Sequence, residues 1–335
     1  MNEKKERLIF DVTYQPQVRT VRDTQRIMLD VIVATLPIVG FGVYRYGLHA
    51  LLLVISSVAA AVFFEWAYRH ILKKSITIDD LSAAVTGILL VMVLPPQTPV
   101  WMVVIGDFFA IVIVKQLYGG IGKNFLNPAL AGRAFLTASY SGILTVVTID
   151  GVTQATPLGY LYGSEHIPYT LVHSFFGNIP GSIGEISTLA ILAGAAYLIA
   201  RKVIRWRIPL SVLGTVFVLS FLGGQSGYGR LEWALHNVFA GGVMFTGIFM
   251  ATDYATSPVT IMGQIIYGIC IGALTMLIRY FGGYAEGCSY AILIMNLCTW
   301  AIDKACHRRQ FGVTHREERA NRRAAKKAAK KEAVS

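Results

Sequence analysis

The feature that most constrains this chain is a succession of apolar runs, each roughly 18 to 22 residues long, separated by short segments that are often basic. A helix rising about 1.5 Å per residue needs about that length to cross a hydrocarbon core of about 30 Å. Inside lipid the backbone must satisfy its own hydrogen bonds, so runs of this kind read as helices. With 54% hydrophobic and 15% charged residues, the composition falls outside the soluble range. The sequence therefore predicts an all-α polytopic membrane protein. About ten crossings are expected, near 27–46, 48–68, 80–95, 99–116, 128–147, 185–200, 208–223, 234–251, 258–280 and 286–303. The third and eighth are short and polar-ended, which suits broken or re-entrant segments. The first run follows a charged segment with no small-residue cleavage site after it, so it reads as a membrane helix and not a signal peptide.

Basic residues set the expected orientation, because Lys and Arg are kept on the cytoplasmic side. With the N-terminus inside, Arg69, Lys73, Lys74, Lys115, Lys123, Arg201, Lys202, Arg205, Arg207 and the basic tail all fall in the cytoplasm. The predicted organisation is a cytoplasmic segment 1–26, a first five-helix unit 27–147, an extracytoplasmic loop 148–184, a second five-helix unit 185–303 and a basic tail 304–335. The tail reads as a solvated extension attracted to anionic headgroups, with no aromatic-interleaved surface for nucleic acid. Cys270, Cys288, Cys298 and Cys306 show no CxxC spacing and read as small apolar fillers.

The two units resemble each other. "TGILLVMVLPPQTPV" at 86–100 aligns with "TGIFMATDYATSPVT" at 246–260, and an aromatic–Gly–Gly turn follows each, at 118–120 and 281–283. Copies separated by five crossings insert with opposite topology, so the pattern predicts two inverted five-helix repeats. In such folds interrupted helices build the site, which directs attention to the breaks at 94–99 and 251–258. Asp253, an ionisable residue in the second break, is a candidate for an ion pathway or else a solvated helix end.

From Ala134 to Ala200 the chain carries no Lys or Arg, although its net charge is +11. Within that stretch "DGVTQATPL" resembles the flavinylation motif of the membrane flavoprotein subunits in the Rnf complex (its D subunit) and the sodium-pumping NADH:quinone reductase (its B subunit). Asp150, Thr153, Ala155 and Thr156 match the motif, and Gln154 stands where Gly is more usual. "GGIGKNFLNPALAGRAF" at 119–135, "MFTGIFMATDYATSPV" at 244–259 and "EGCSYAILIMNLCTWAID" at 286–303 resemble the same family. The resemblance implies a fold related to urea and ammonium transporters. It also implies an FMN joined by a phosphoester to Thr156, installed outside the cytoplasm by a flavin transferase using FAD and Mg²⁺. Thr153 is the competing acceptor and reads as a turn-forming hydroxyl.

Relatives of this kind hold a second, non-covalent flavin such as riboflavin, and Lys123, Asn124 and Asn127 are candidates to lie near it. Asn127 before Pro128 also reads as the cap of the fifth helix. The implied function is electron transfer within a membrane complex that couples ferredoxin:NAD⁺ oxidoreduction to Na⁺ or H⁺ translocation. The chain shows no GxGxxG fingerprint in a strand–turn–helix setting and no cysteine set for an iron–sulfur cluster, so iron–sulfur and FMN-carrying partner subunits are expected. No catalytic residue and no metal ligand is assigned. The expected location is the cytoplasmic membrane of a bacterium or archaeon, with both termini inside. The quinone-reductase B subunit is the nearest alternative; its longer N-terminal extension separates it from this chain. A flavin-free urea- or ammonium-type channel is the other, and it would have no use for the Thr-rich loop.

Overall fold

The computed structural model describes residues 24–144, 147–149, 152–154, 156–162, 168–224, 228–282 and 286–306. The motif positions Asp150 and Ala155, the segment before 24 and the tail beyond 306 lie outside the described residues. Two long helices open the fold, α1 (Thr24–Tyr46) and α2 (Leu48–Ile71), joined at Gly47, whose φ of 72° suits glycine. Then come α3 (Ser82–Met92) and α4 (Val100–Phe108), which continues directly into a π-helical stretch at Phe109–Gln116. Next are α5 (Pro128–Ser139), the single turn α6 (Ser141–Leu144), and the hairpin strands β1 (Val147–Ile149) and β2 (Val152–Gln154). Two short helices, α7 (Pro157–Tyr162) and α8 (Leu171–Phe176), lead to α9 (Thr188–Ala200) and α10 (Arg207–Gly223). After α11 (Arg230–Phe239), the short α12 (Val243–Phe245) runs into a second π-helical stretch at Thr246–Met250. The last two helices are α13 (Ile261–Phe281) and α14 (Cys288–Ala305).

The expectation of about ten crossing helices in two inverted repeats, with its transporter-like architecture, is corrected by the lengths of these elements. Among the described residues three helices are long and apolar enough to cross a membrane: α1, α2 and α13. A fourth exists if α11 and the segment Val243–Met250, bent by 66°, count as one span. The other apolar runs fold into shorter or interrupted helices. α3 stops at Met92, after about 17 Å, because Pro95 and Pro96 remove two donors and push the residues before them out of helical geometry. α9 ends at Ala200, and Lys202 just beyond takes a positive φ of 55°.

These elements are held by one large apolar core. α1 packs on α9, α2 on α3 and α4, α10 on α11 and α13, and α5 on α14. Every residue of α3 is buried, and Leu90, Met92, Phe245 and Ile271 are sealed within the core. Large apolar side chains such as Leu52, Ile55, Trp101, Leu297 and Trp300 face outward. In water so much exposed apolar surface would be a liability, whereas against lipid it costs nothing.

Candidate functional site

Thr156 closes the hairpin segment and starts α7. β1 and β2 pair antiparallel with Thr148 opposite Thr153, so Thr153 belongs to a strand three residues before Thr156. The Thr156 hydroxyl oxygen accepts a hydrogen bond from the Gly159 N–H at 3.2 Å, and its carbonyl accepts from the Tyr160 N–H at 3.1 Å. Thr156 is thus the cap of α7, with Pro157 at the first helical position. As an acceptor in that bond, the hydroxyl keeps its own hydrogen free to leave.

α7 stands on an aromatic pedestal. Leu158 and Leu161 are fully buried with Trp233 and Ala240, and Tyr160, Tyr162, Tyr228 and Tyr280 pack around them. The Tyr162 hydroxyl donates to Asn237 Oδ1 at 2.6 Å, and the Trp233 ring N–H donates to the Tyr280 hydroxyl at 3.2 Å. Half-buried Thr156 is therefore fixed in position, although it sits in a connecting segment.

Beneath the pedestal lies a polar layer that the sequence does not single out. Arg133 of α5 bonds to Ser289 Oγ at 2.7 Å, pairs with Glu286 and lies 3.8 Å from Glu185. Arg279 donates to the Asn237 carbonyl at 2.6 Å and to the Ala240 carbonyl at 3.2 Å, carbonyls freed where α11 ends. Gly241, at a φ of 72°, is where the three sets meet. A Cβ placed there would lie 3.1 Å from Leu158, 3.3 Å from Arg279 and 3.8 Å from Glu286. Arg133, Glu185, Arg279 and Glu286 could have been found as isolated charges in apolar segments, which are functional candidates by default.

A second site lies elsewhere in the bundle. A cleft of about 100 Å³ is lined by Lys115, Asn124, Asn127, Thr252 and Asp253 together with apolar side chains from α1, α3 and α5. Asn127 caps α5, accepting from the Ala129 N–H at 3.1 Å and the Leu130 N–H at 3.3 Å, while its amide donates to the Met250 carbonyl at 3.3 Å. Asp253 accepts from the Ala255 N–H and the Thr256 hydroxyl. The cation in the wall is Lys115, held by Glu65 at 2.7 Å and Ser82 at 2.6 Å. Lys123 is exposed and does not line the cleft.

The structure thus brings Asn124, Asn127 and Asp253 together and keeps them apart from Thr156. α13 begins just after the break that carries Asp253 and ends beside Tyr280 of the pedestal, so the two sites sit towards opposite ends of a helix about 31 Å long.

A membrane-embedded helical bundle with a capped threonine on one side and an asparagine-lined cleft towards the other defines a multi-pass membrane protein with two candidate cofactor positions. Residues 11–312 match the NQR2, RnfD, RnfE family model, and the chain belongs to this family. It is 46% identical over 314 residues to the D subunit of the Na⁺-translocating ferredoxin:NAD⁺ oxidoreductase complex of Acetobacterium woodii, covering 92% of this chain and 96% of that protein. It is 42% identical over 323 residues to the D subunit of the proton-translocating ferredoxin:NAD⁺ oxidoreductase complex of Clostridium ljungdahlii, covering 91% and 97%. The D subunit of an ion-translocating oxidoreductase complex from Shewanella amazonensis is 34% identical over 345 residues, covering 91% and 99%.

Proposed function

We propose that this chain is the D-type subunit of a membrane complex that couples ferredoxin:NAD⁺ oxidoreduction to ion translocation, and that it carries electrons through a flavin attached to Thr156. The near full-length match to two such D subunits, one named for Na⁺ and one for protons, supports the complex and leaves the ion open. The capped, half-buried Thr156 supports the attachment. In maturation Thr156 Oγ forms a bond to the FMN phosphoryl group of FAD, AMP leaves, and a base on the transferase takes the hydroxyl proton. Mg²⁺ on the transferase offsets the phosphate charge. Pro157 and the pedestal hold the acceptor still while the transferase engages it.

The attached flavin supplies the electron acceptor and donor, while the chain supplies its position and surroundings. Asn124 and Asn127 line the cleft that would take a second, non-covalent flavin such as riboflavin, with Asp253 beside them as a candidate for the ion path. Iron–sulfur and FMN-carrying subunits complete the electron path at both ends, and the sides on which the termini lie follow from the basic loops. The test is flavin fluorescence of the denatured protein in a gel. Wild-type protein co-produced with a flavin transferase gives a fluorescent band, and Thr156→Ala gives a dark one at equal protein. A dark wild-type band overturns the proposal.

A further inference from the structure

We infer that Asp107 and Ser57 form a proton-exchange site inside the helical bundle, independent of either flavin position. Asp107 lies on α4 in the last turn before the π-helical stretch, and Ser57 faces it from α2; both are fully buried. Ser57 Oγ is 3.0 Å from Asp107 Oδ1 and 2.9 Å from the Gly87 carbonyl of α3. Asp107 Oδ2 is buried without a hydrogen-bond partner among the described residues. An ionisable side chain in a membrane interior is a functional group by default, and π-helical insertions cluster at functional sites.

Counting hydrogens gives the site its behaviour. A serine hydroxyl has one hydrogen to donate, and here two acceptors stand within reach. When Ser57 gives it to the Gly87 carbonyl, the Ser57–Asp107 bond needs a hydrogen from Asp107, which is then the neutral acid. When the hydroxyl turns to Asp107, the carboxyl can be ionised. Ser57 is thus a two-position partner whose orientation follows the proton: Asp107 gives a proton to water, its O–H bond breaks, and the Ser57 hydrogen swings over to the carboxylate left behind.

The neighbouring charges are occupied elsewhere. α3 carries no ionisable side chain, and Asp107 is the one such residue in α4. On α2, Glu65 lies eight residues beyond Ser57, about 12 Å along the axis, and pairs with Lys115 of the π-helical stretch. Arg69 is four residues further along α2 and donates to the Ser75 carbonyl. Arg133 of α5 is bound to Ser289 and Glu286. Hard metal cations such as Ca²⁺ take at least six oxygen ligands; Asp107, Ser57 and the Gly87 carbonyl offer fewer, a set that suits a proton. Gly87 makes the close approach possible, since a Cβ there would lie 2.9 Å from the Ser57 carbonyl and 3.1 Å from its hydroxyl.

The experiment uses the whole complex in native membranes, treated with dicyclohexylcarbodiimide, which reacts with protonated carboxyl groups in apolar surroundings, followed by peptide mass mapping. Asp107 is expected to label, because its carboxyl is buried with one oxygen free of any hydrogen-bond partner among the described residues. Na⁺ at constant ionic strength should leave the labelling unchanged. Asp107→Asn keeps a hydrogen bond to Ser57, so it should lose the label while keeping thermal stability and the covalent flavin band. An Asp107 that stays unlabelled between about pH 6 and pH 9 overturns the inference. Na⁺ protection at fixed pH overturns the proton assignment in favour of Na⁺. A dark flavin band in wild-type protein overturns the redox proposal and leaves this one standing.

Discussion

The Thr156 pedestal and the asparagine-lined cleft solve the problem of holding a group at a membrane protein in opposite ways. The pedestal is a connecting segment made rigid: a capped threonine, a proline and two fully buried leucines anchored on Trp233 and its ring of tyrosines. The cleft is regular structure left incomplete, where α5 begins, the second π-helical stretch ends and the break at 251–258 exposes polar groups. A covalent attachment needs one fixed atom that an outside enzyme can reach. A non-covalent ligand needs several polar contacts around a void. The difference predicts that each site can be damaged while the other is left intact.

The largest expected effect is at Thr156. Thr156→Ala removes the acceptor oxygen and should abolish covalent flavin, whereas Thr156→Ser keeps a hydroxyl and a cap and should retain it, both read by gel fluorescence. Next comes Trp233→Ala, which empties the pedestal and should cost about 3–5 kcal/mol, as large core truncations do. It should lower the thermal unfolding midpoint of the protein and reduce attachment at Thr156, with non-covalent flavin still retained on purification. Asn127→Ala should act the other way. It removes a cap worth about 1 kcal/mol and the bond to the Met250 carbonyl, so non-covalent flavin falls while the fluorescent band persists. Lys123→Ala should be the mildest, within about 0.5 kcal/mol and without effect on either flavin, because Lys123 is exposed and outside the cleft.

Local chemistry was legible in the sequence where it depends on neighbouring residues. Asn127–Pro128 announces a helix start and forms one, with both expected N–H groups on the Asn127 side chain. Thr156–Pro157 carries the same signal, and the threonine caps a short helix within the segment expected to be a loop. The breaks at 94–99 and 251–258 were visible from their prolines and polar residues. Helix length was not legible, because an apolar run does not show where its backbone stops being helical. The run near 80–95 is apolar through Leu94, yet the helix stops at Met92 under the influence of the prolines that follow. The run near 234–251 reads from its short, polar-ended sequence as broken or re-entrant, and it does bend, by 66°; only the position of the bend was not legible. Arg133, Glu185 and Glu286 stand out singly as charges in apolar segments, but their assembly into one polar layer was hidden for another reason. Its members lie far apart in the chain, and pairing across 153 residues leaves no local pattern. Lys123 and Lys115 show the same limit, since both are lysines of one basic segment and packing alone turns Lys115 inward to Glu65.

The most direct test of the account is peptide mass mapping of the mature protein purified from cells that make a flavin transferase. Trypsin cuts after Lys and Arg, so the stretch from Ala134 to Arg201 is released as one peptide, and fragmentation can place a modification within it. The account predicts an FMN-sized addition on Thr156 and none on Thr153. An unmodified Thr156 in the presence of active transferase, or an addition on Thr153 instead, would contradict it.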